Sequence, residues 1–174
     1  VFAMDQGSHV TALTAATGAV LWNSSIQPEF DTSTVSGGGL AVSAGKVFVT
    51  TGYGEVIALD PRTGAVIWRQ RLSAALSGAP TVVGDAVYAV GRDGSAVALN
   101  TGTGRILWQN EGVGKSAGMV GAGTPAADGK LIYLPFGSGQ LEAVSPTGDT
   151  VWQGAVAGQR LGRAYAGFGD VTGN

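Results

Sequence analysis

The sequence predicts an all-β fold, a β-propeller of four-stranded blades, and three observations carry that prediction. Tryptophans stand at 22, 68, 108 and 152, so they recur at intervals of 46, 40 and 44 residues. Each follows a Thr-Gly pair at one offset: Thr17-Gly18, Thr63-Gly64, Thr103-Gly104 and Thr147-Gly148. Ahead of every pair runs a short apolar strand: Val10 to Leu13, Val56 to Leu59, Val97 to Leu99 and Leu141 to Val144. Meanders of four short strands repeating every 40 to 46 residues describe propeller blades. A β-sandwich also has many short strands, but it does not call for one tryptophan per period in a fixed register.

The unit between Gly39 and Leu72 justifies each element in order. Leu40-Ala41-Val42 reads as a first strand and Lys46 to Thr51 as a second. Gly52-Tyr53-Gly54 turns the chain into a third strand, Glu55 to Asp60. Pro61-Arg62-Thr63-Gly64 turns it again into the fourth, Ala65 to Gln70. Runs of four to eight β-branched and aromatic residues between glycine-bearing turns are hairpin signals. The next unit repeats them at Pro80–Val83, Ala86–Val90, Ser95–Asn100 and Arg105–Gln109. No stretch holds a 3.6-residue period, so essentially no helix is expected. Each tryptophan is expected to pack between adjacent blades with its indole N–H satisfied nearby.

The blades are placed at about 1–30, 36–72, 78–111 and 121–155, with a tail over 156–174. The first is expected to lack its outermost, leading strand, and Gly154 to Asn174 offers no convincing strand to complete it. An open arc would leave a bare blade face and unpaired edges. The chain opens at Val1 with no readable signal peptide and is read as a fragment, roughly half of a parent of six to eight blades.

Composition removes whole function classes. Only 13% of the 174 residues are charged, against roughly 25% in an average domain, while 44% are hydrophobic, enough for a sizeable core. A net charge of −2 gives no electrostatic footprint for nucleic acid. With no cysteine, there is no thiol nucleophile, disulfide framework or cysteine-based zinc site. His9 is the sole histidine, which disfavours both a catalytic triad and a His-rich metal site.

The stretch Ala58-Leu59-Asp60-Pro61-Arg62-Thr63-Gly64-Ala65-Val66-Ile67-Trp68 resembles the tryptophan-docking motif A-x-D-x-x-x-G-x-x-x-W of pyrroloquinoline-quinone-like propeller repeats. Asn100 replaces the aspartate in one copy and Thr14 in another. The fourth copy is one residue shorter at Ser145-Pro146, so its turn must be tighter. Quinoprotein dehydrogenases share this repeat, and so does the BamB family of outer-membrane assembly factors. Gly37 to Val42, Thr51 to Val56, Gly78 to Val82 and Gly169-Asp170-Val171 are similar to the BamB-like form. That resemblance implies an eight-bladed, cofactor-free, non-catalytic scaffold, lipid-anchored at the periplasmic face of the outer membrane. Its implied partner is the barrel-forming subunit of the assembly machine.

Candidate sites follow from both readings. Asp5, Asp60, Asp85, Asp93, Asp128 and Asp149 lie in or beside turns, where aspartate caps its own backbone, and no D-x-D-x-D-G calcium loop is present. His9 reads as a solvated residue at a strand start. Gly112-Val113-Gly114-Lys115-Ser116 fails as a phosphate loop because position 109 is Gln and no helix follows. The resemblance places Ala117, Met119 and Val120 in a partner-contacting loop, although Val120 stands where an arginine is expected. Lys115 is a nearby positive charge, and a plain connector with Met119 tucked into the core is the other reading. Arg160 and Arg163, interleaved with Tyr165 and Phe168, form a second candidate partner surface, or an excursion folded over its own propeller. Trp22, Trp68, Trp108 and Trp152 with Gly18, Gly64, Gly104 and Gly148 are assigned to structure. The expected function is protein binding without catalysis; the alternatives are a quinone-dependent dehydrogenase segment or a propeller that binds another protein.

Overall fold

A computed structural model describes residues 1–28, 37–111 and 123–155. Within them the secondary structure is strand and turn, so no helix there is long and apolar enough to cross a membrane. Four antiparallel sheets follow one another along the chain. The first holds β1 (Phe2–Met4), β2 (His9–Leu13) and β3 (Val20–Ser25). The second holds β4 (Gly38–Ser43), β5 (Lys46–Thr51), β6 (Glu55–Leu59) and β7 (Val66–Arg71). The third is β8 (Thr81–Val83), β9 (Ala86–Val90), β10 (Ser95–Asn100) and β11 (Ile106–Glu111). The fourth is β12 (Ala126–Ala127), β13 (Ile132–Pro135), β14 (Gln140–Val144) and β15 (Thr150–Ala155). Each sheet pairs its strands in chain order, as successive hairpins dictate. The β-propeller reading of four-stranded blades, about four of them, is therefore the observed architecture.

Burial explains why the middle strands read as unbroken apolar runs. β6 and β9 are buried along their whole lengths, because a neighbouring sheet covers each face. Three apolar cores lie between successive sheets. Val10 and Ile26 meet Val47, Val49, Ile57 and Leu59 between the first and second. Phe48, Val56, Ala58 and Trp68 meet Val87, Ala89, Val97 and Leu99 between the second and third. Tyr88, Ala96 and Ala98 meet Ile132, Leu134, Phe136 and Val144 between the third and fourth. The last strands are different: β15 is exposed throughout, and β3, β7 and β11 alternate or run exposed.

The sheets converge on their leading strands. A Cβ built on Gly39 of β4 would lie 2.7 Å from the Ala79 methyl, just ahead of β8. Thr50 Oγ1 donates to the Gly78 carbonyl at 2.7 Å, and Thr81 Oγ1 donates to the Pro125 carbonyl at the head of β12. Backbone meets backbone here, which is why glycine and alanine occupy the positions. The leading strands are thus the inner ones and the tryptophan-bearing strands the outer ones. The first sheet lacks a leading strand among the described residues, and the missing place is innermost, not outermost as expected from sequence.

Candidate functional site

The Thr-Gly turn is built the same way in three copies. The opening residue donates its N–H across the turn and accepts the glycine N–H: Thr14 with Ala19 and Gly18, Asp60 with Ala65 and Gly64, Asn100 with Arg105 and Gly104. Asp60 Oδ1 accepts the Arg62 N–H at 2.7 Å, and Asn100 Oδ1 accepts those of Gly102 and Thr103 at 3.1 and 3.0 Å. Short polar side chains open these turns because they satisfy backbone donors that no strand can reach. The glycine closes each at positive φ, 71° at Gly18, 74° at Gly64 and 72° at Gly104. The shorter fourth copy closes as Ser145 to Gly148, one residue tighter, with Ser145 Oγ accepting the Asp149 N–H at 3.1 Å.

These turns are the receiving half of an interblade contact. The Trp22 ring lies on Gly64 of the next sheet, Trp68 on Gly104, and Trp108 on Gly148. A Cβ at those glycines would fall 2.6, 2.6 and 2.8 Å from ring carbons, so no larger residue fits. Each indole N–H donates at 3.0 Å to the carbonyl of the residue after the turn opener: Pro61, Thr101 and Pro146. A large apolar ring and its one polar atom are satisfied together. At the two ends of the series the contact is open. Trp152 is 42% exposed and has no indole acceptor among the described residues, and nothing described lies within 4 Å of a Cβ at Gly18.

A second feature supports each tryptophan from its own sheet. Phe2, Ala12 and Trp22 lie abreast on three paired strands, as do Phe48, Ala58 and Trp68. Tyr88, Ala98 and Trp108 repeat the row, and Tyr133, Ala143 and Trp152 close it. The small central alanine lets the flanking rings meet over it, at 5.8, 5.9, 5.9 and 6.0 Å between centroids and tilted by 40 to 47°. A register shift follows the alanine in every sheet, placing a bulge at Leu21, Ile67, Leu107 and Val151 beside the tryptophan. The aromatic partner was visible in the sequence as a Phe or Tyr twenty residues before Trp22, Trp68 and Trp108 and nineteen before Trp152.

The carboxylates are mostly committed to turns. Asp93 accepts from the Ser95 N–H and hydroxyl at 2.9 and 2.6 Å, and Asp149 accepts from Thr147 Oγ1 at 2.7 Å. Asp128 accepts the Lys130 and Leu131 N–H groups, each at 2.8 Å, and the Tyr133 hydroxyl at 3.0 Å. The Leu131 and Lys130 amides hold the Asp128 carboxyl below its ordinary range, and the bond to Asp128 pushes the Tyr133 phenol up. Asp5 accepts the His9 N–H at 2.9 Å, which lowers its carboxyl, and its Oδ2 lies 3.2 Å from His9 Nδ1 on the exposed surface. For Asp85, the backbone carbonyl accepts the Thr101 N–H at 2.9 Å.

Two glutamates that sequence reasoning passed over are buried. Glu55 on β6 pairs with Arg69 of β7 at 2.7 Å, and Arg69 also reaches the Ile26 carbonyl of the preceding sheet at 3.3 Å. Glu142 on β14 accepts from Thr150 Oγ1 and Gln153 Nε2 at 2.5 and 3.3 Å. It borders an open cleft of about 240 Å³ with Phe136, Gln140, Leu141 and Gln153. One carboxylate held by neutral donors is no acid–base pair. Among the described residues, no three His, Cys, Asp or Glu side chains gather as a metal site. Lys115, Met119, Val120, Arg160 and Arg163 lie outside the described residues.

Comparison with known proteins adds kinship to this geometry. A family model described as "Outer membrane protein assembly factor BamB" matches residues 6–174. Outer membrane protein assembly factor BamB of Shewanella oneidensis is 26% identical over 98% of this chain and 45% of its own length. Quinoprotein ethanol dehydrogenase of Pseudomonas aeruginosa is 34% identical over 76% of this chain and 25% of its own. The chain thus spans between a quarter and just under half of these curated relatives. The crystal structure of BamB from Moraxella catarrhalis superposes with a TM-score of 0.72 at 24% identity, covering 89% of this chain and 45% of that one. Repeat, docking contacts and a match across residues 6–174 agree: the chain belongs to the BamB outer membrane assembly factor family.

Proposed function

We propose that this chain is part of a non-catalytic scaffold that binds partner subunits during assembly and insertion of β-barrel proteins into the bacterial outer membrane. The observation that carries this reading is the reach of the similarity. The family match runs from residue 6 to residue 174, and the Shewanella oneidensis assembly factor aligns over 98% of the chain. The mechanism is positional. Sheets locked by indole-to-carbonyl bonds form a rigid frame, and the connections between them are presented to a partner. The proposed partner is the barrel-forming subunit, met at the periplasmic face of the membrane, with the parent held there by a lipid anchor. Lys115, Met119 and Val120 in one connection, and Arg160 and Arg163 in the last segment, are the proposed contacts.

The test is a titration of the full-length parent against the soluble periplasmic domains of the barrel-forming subunit, with calcium and quinone absent. Saturable binding that Met119→Asp weakens in a protein of unchanged melting temperature is the expected result. No binding by a folded parent would overturn the assignment, and a collapse of folding in Met119→Asp would make Met119 a core residue.

The second reading, a segment of a quinone-dependent dehydrogenase, is favoured by one observation: the 34% identity to the ethanol dehydrogenase exceeds the 26% to the assembly factor. Dye reduction by the parent that requires both calcium and quinone would establish it.

A further inference from the structure

We draw no further inference here: the strongest candidate, the cleft of about 240 Å³ against β14 and β15 that the buried Glu142 carboxylate borders, is lined by Gly154 and Ala155 where the described residues end, so nothing in the structure shows what covers it.

Discussion

A Cβ added to Gly64 would lie 2.6 Å from Cε3 of Trp22, a residue forty-two positions earlier and one sheet away. Glycine is required there twice over, by the positive φ of 74° and by the ring. The same glycine therefore shapes a turn and admits a neighbour.

Gly64→Ala and Gly104→Ala should each destabilise the fold by about 2–4 kcal/mol, combining a left-handed alanine with an overpacked ring. Gly84→Ala separates the two causes. It has a φ of 56° but nothing within 4 Å of its Cβ, so about 1 kcal/mol is expected. Urea titrations of the three variants check the difference.

Trp68 and Trp152 hold equivalent places in their sheets but differ in cover. Trp68 is 9% exposed and bonded to the Thr101 carbonyl, so Trp68→Ala should cost about 3–5 kcal/mol. Trp68→Phe should lose roughly 1–3 kcal/mol by leaving that acceptor unpaired. Trp152→Ala, measured at dilute protein by the same thermal or urea unfolding, should cost under about 1 kcal/mol.

Removing Arg69 leaves the Glu55 carboxylate buried without its 2.7 Å partner. Arg69→Met should therefore destabilise by roughly 2–4 kcal/mol, the Arg69 side chain being partly solvated. The double variant with Glu55→Leu should recover most of the loss, because no buried charge remains. A double-mutant cycle in urea reads both numbers.

Asp128 gives the fold an acid dependence. Its carboxyl is held below the ordinary value of 3.8, so the stabilisation it contributes is present above that pH. It is lost as pH falls through the lower, folded value. Unfolding followed from pH 5 down to about pH 2 should show a fall that Asp128→Asn lessens, with little change near neutrality. The raised Tyr133 phenol works at the other extreme, its contribution fading as pH climbs above 10.

The strands and the repeat were legible because both depend on neighbours in the chain. Alternation at Lys46–Thr51, the Thr-Gly turn and the shortened turn at Ser145-Pro146 are local, and the 40–46-residue period counts the sheets directly. The period also pointed to interblade packing of the tryptophans. It could not say which glycine each ring would meet, since that pairing joins residues about forty apart across two sheets. Nor could it show that the leading strand is the inner one, because the direction in which sheets converge is set by close backbone approaches such as that of Gly39 and Ala79. Nothing along the chain marked Glu55 and Glu142 as buried; that follows from neighbouring strands bringing Arg69 and Thr150 against them. Spacing along the chain determines local turns and repeats, whereas burial and partners arise only when distant segments exclude water between them.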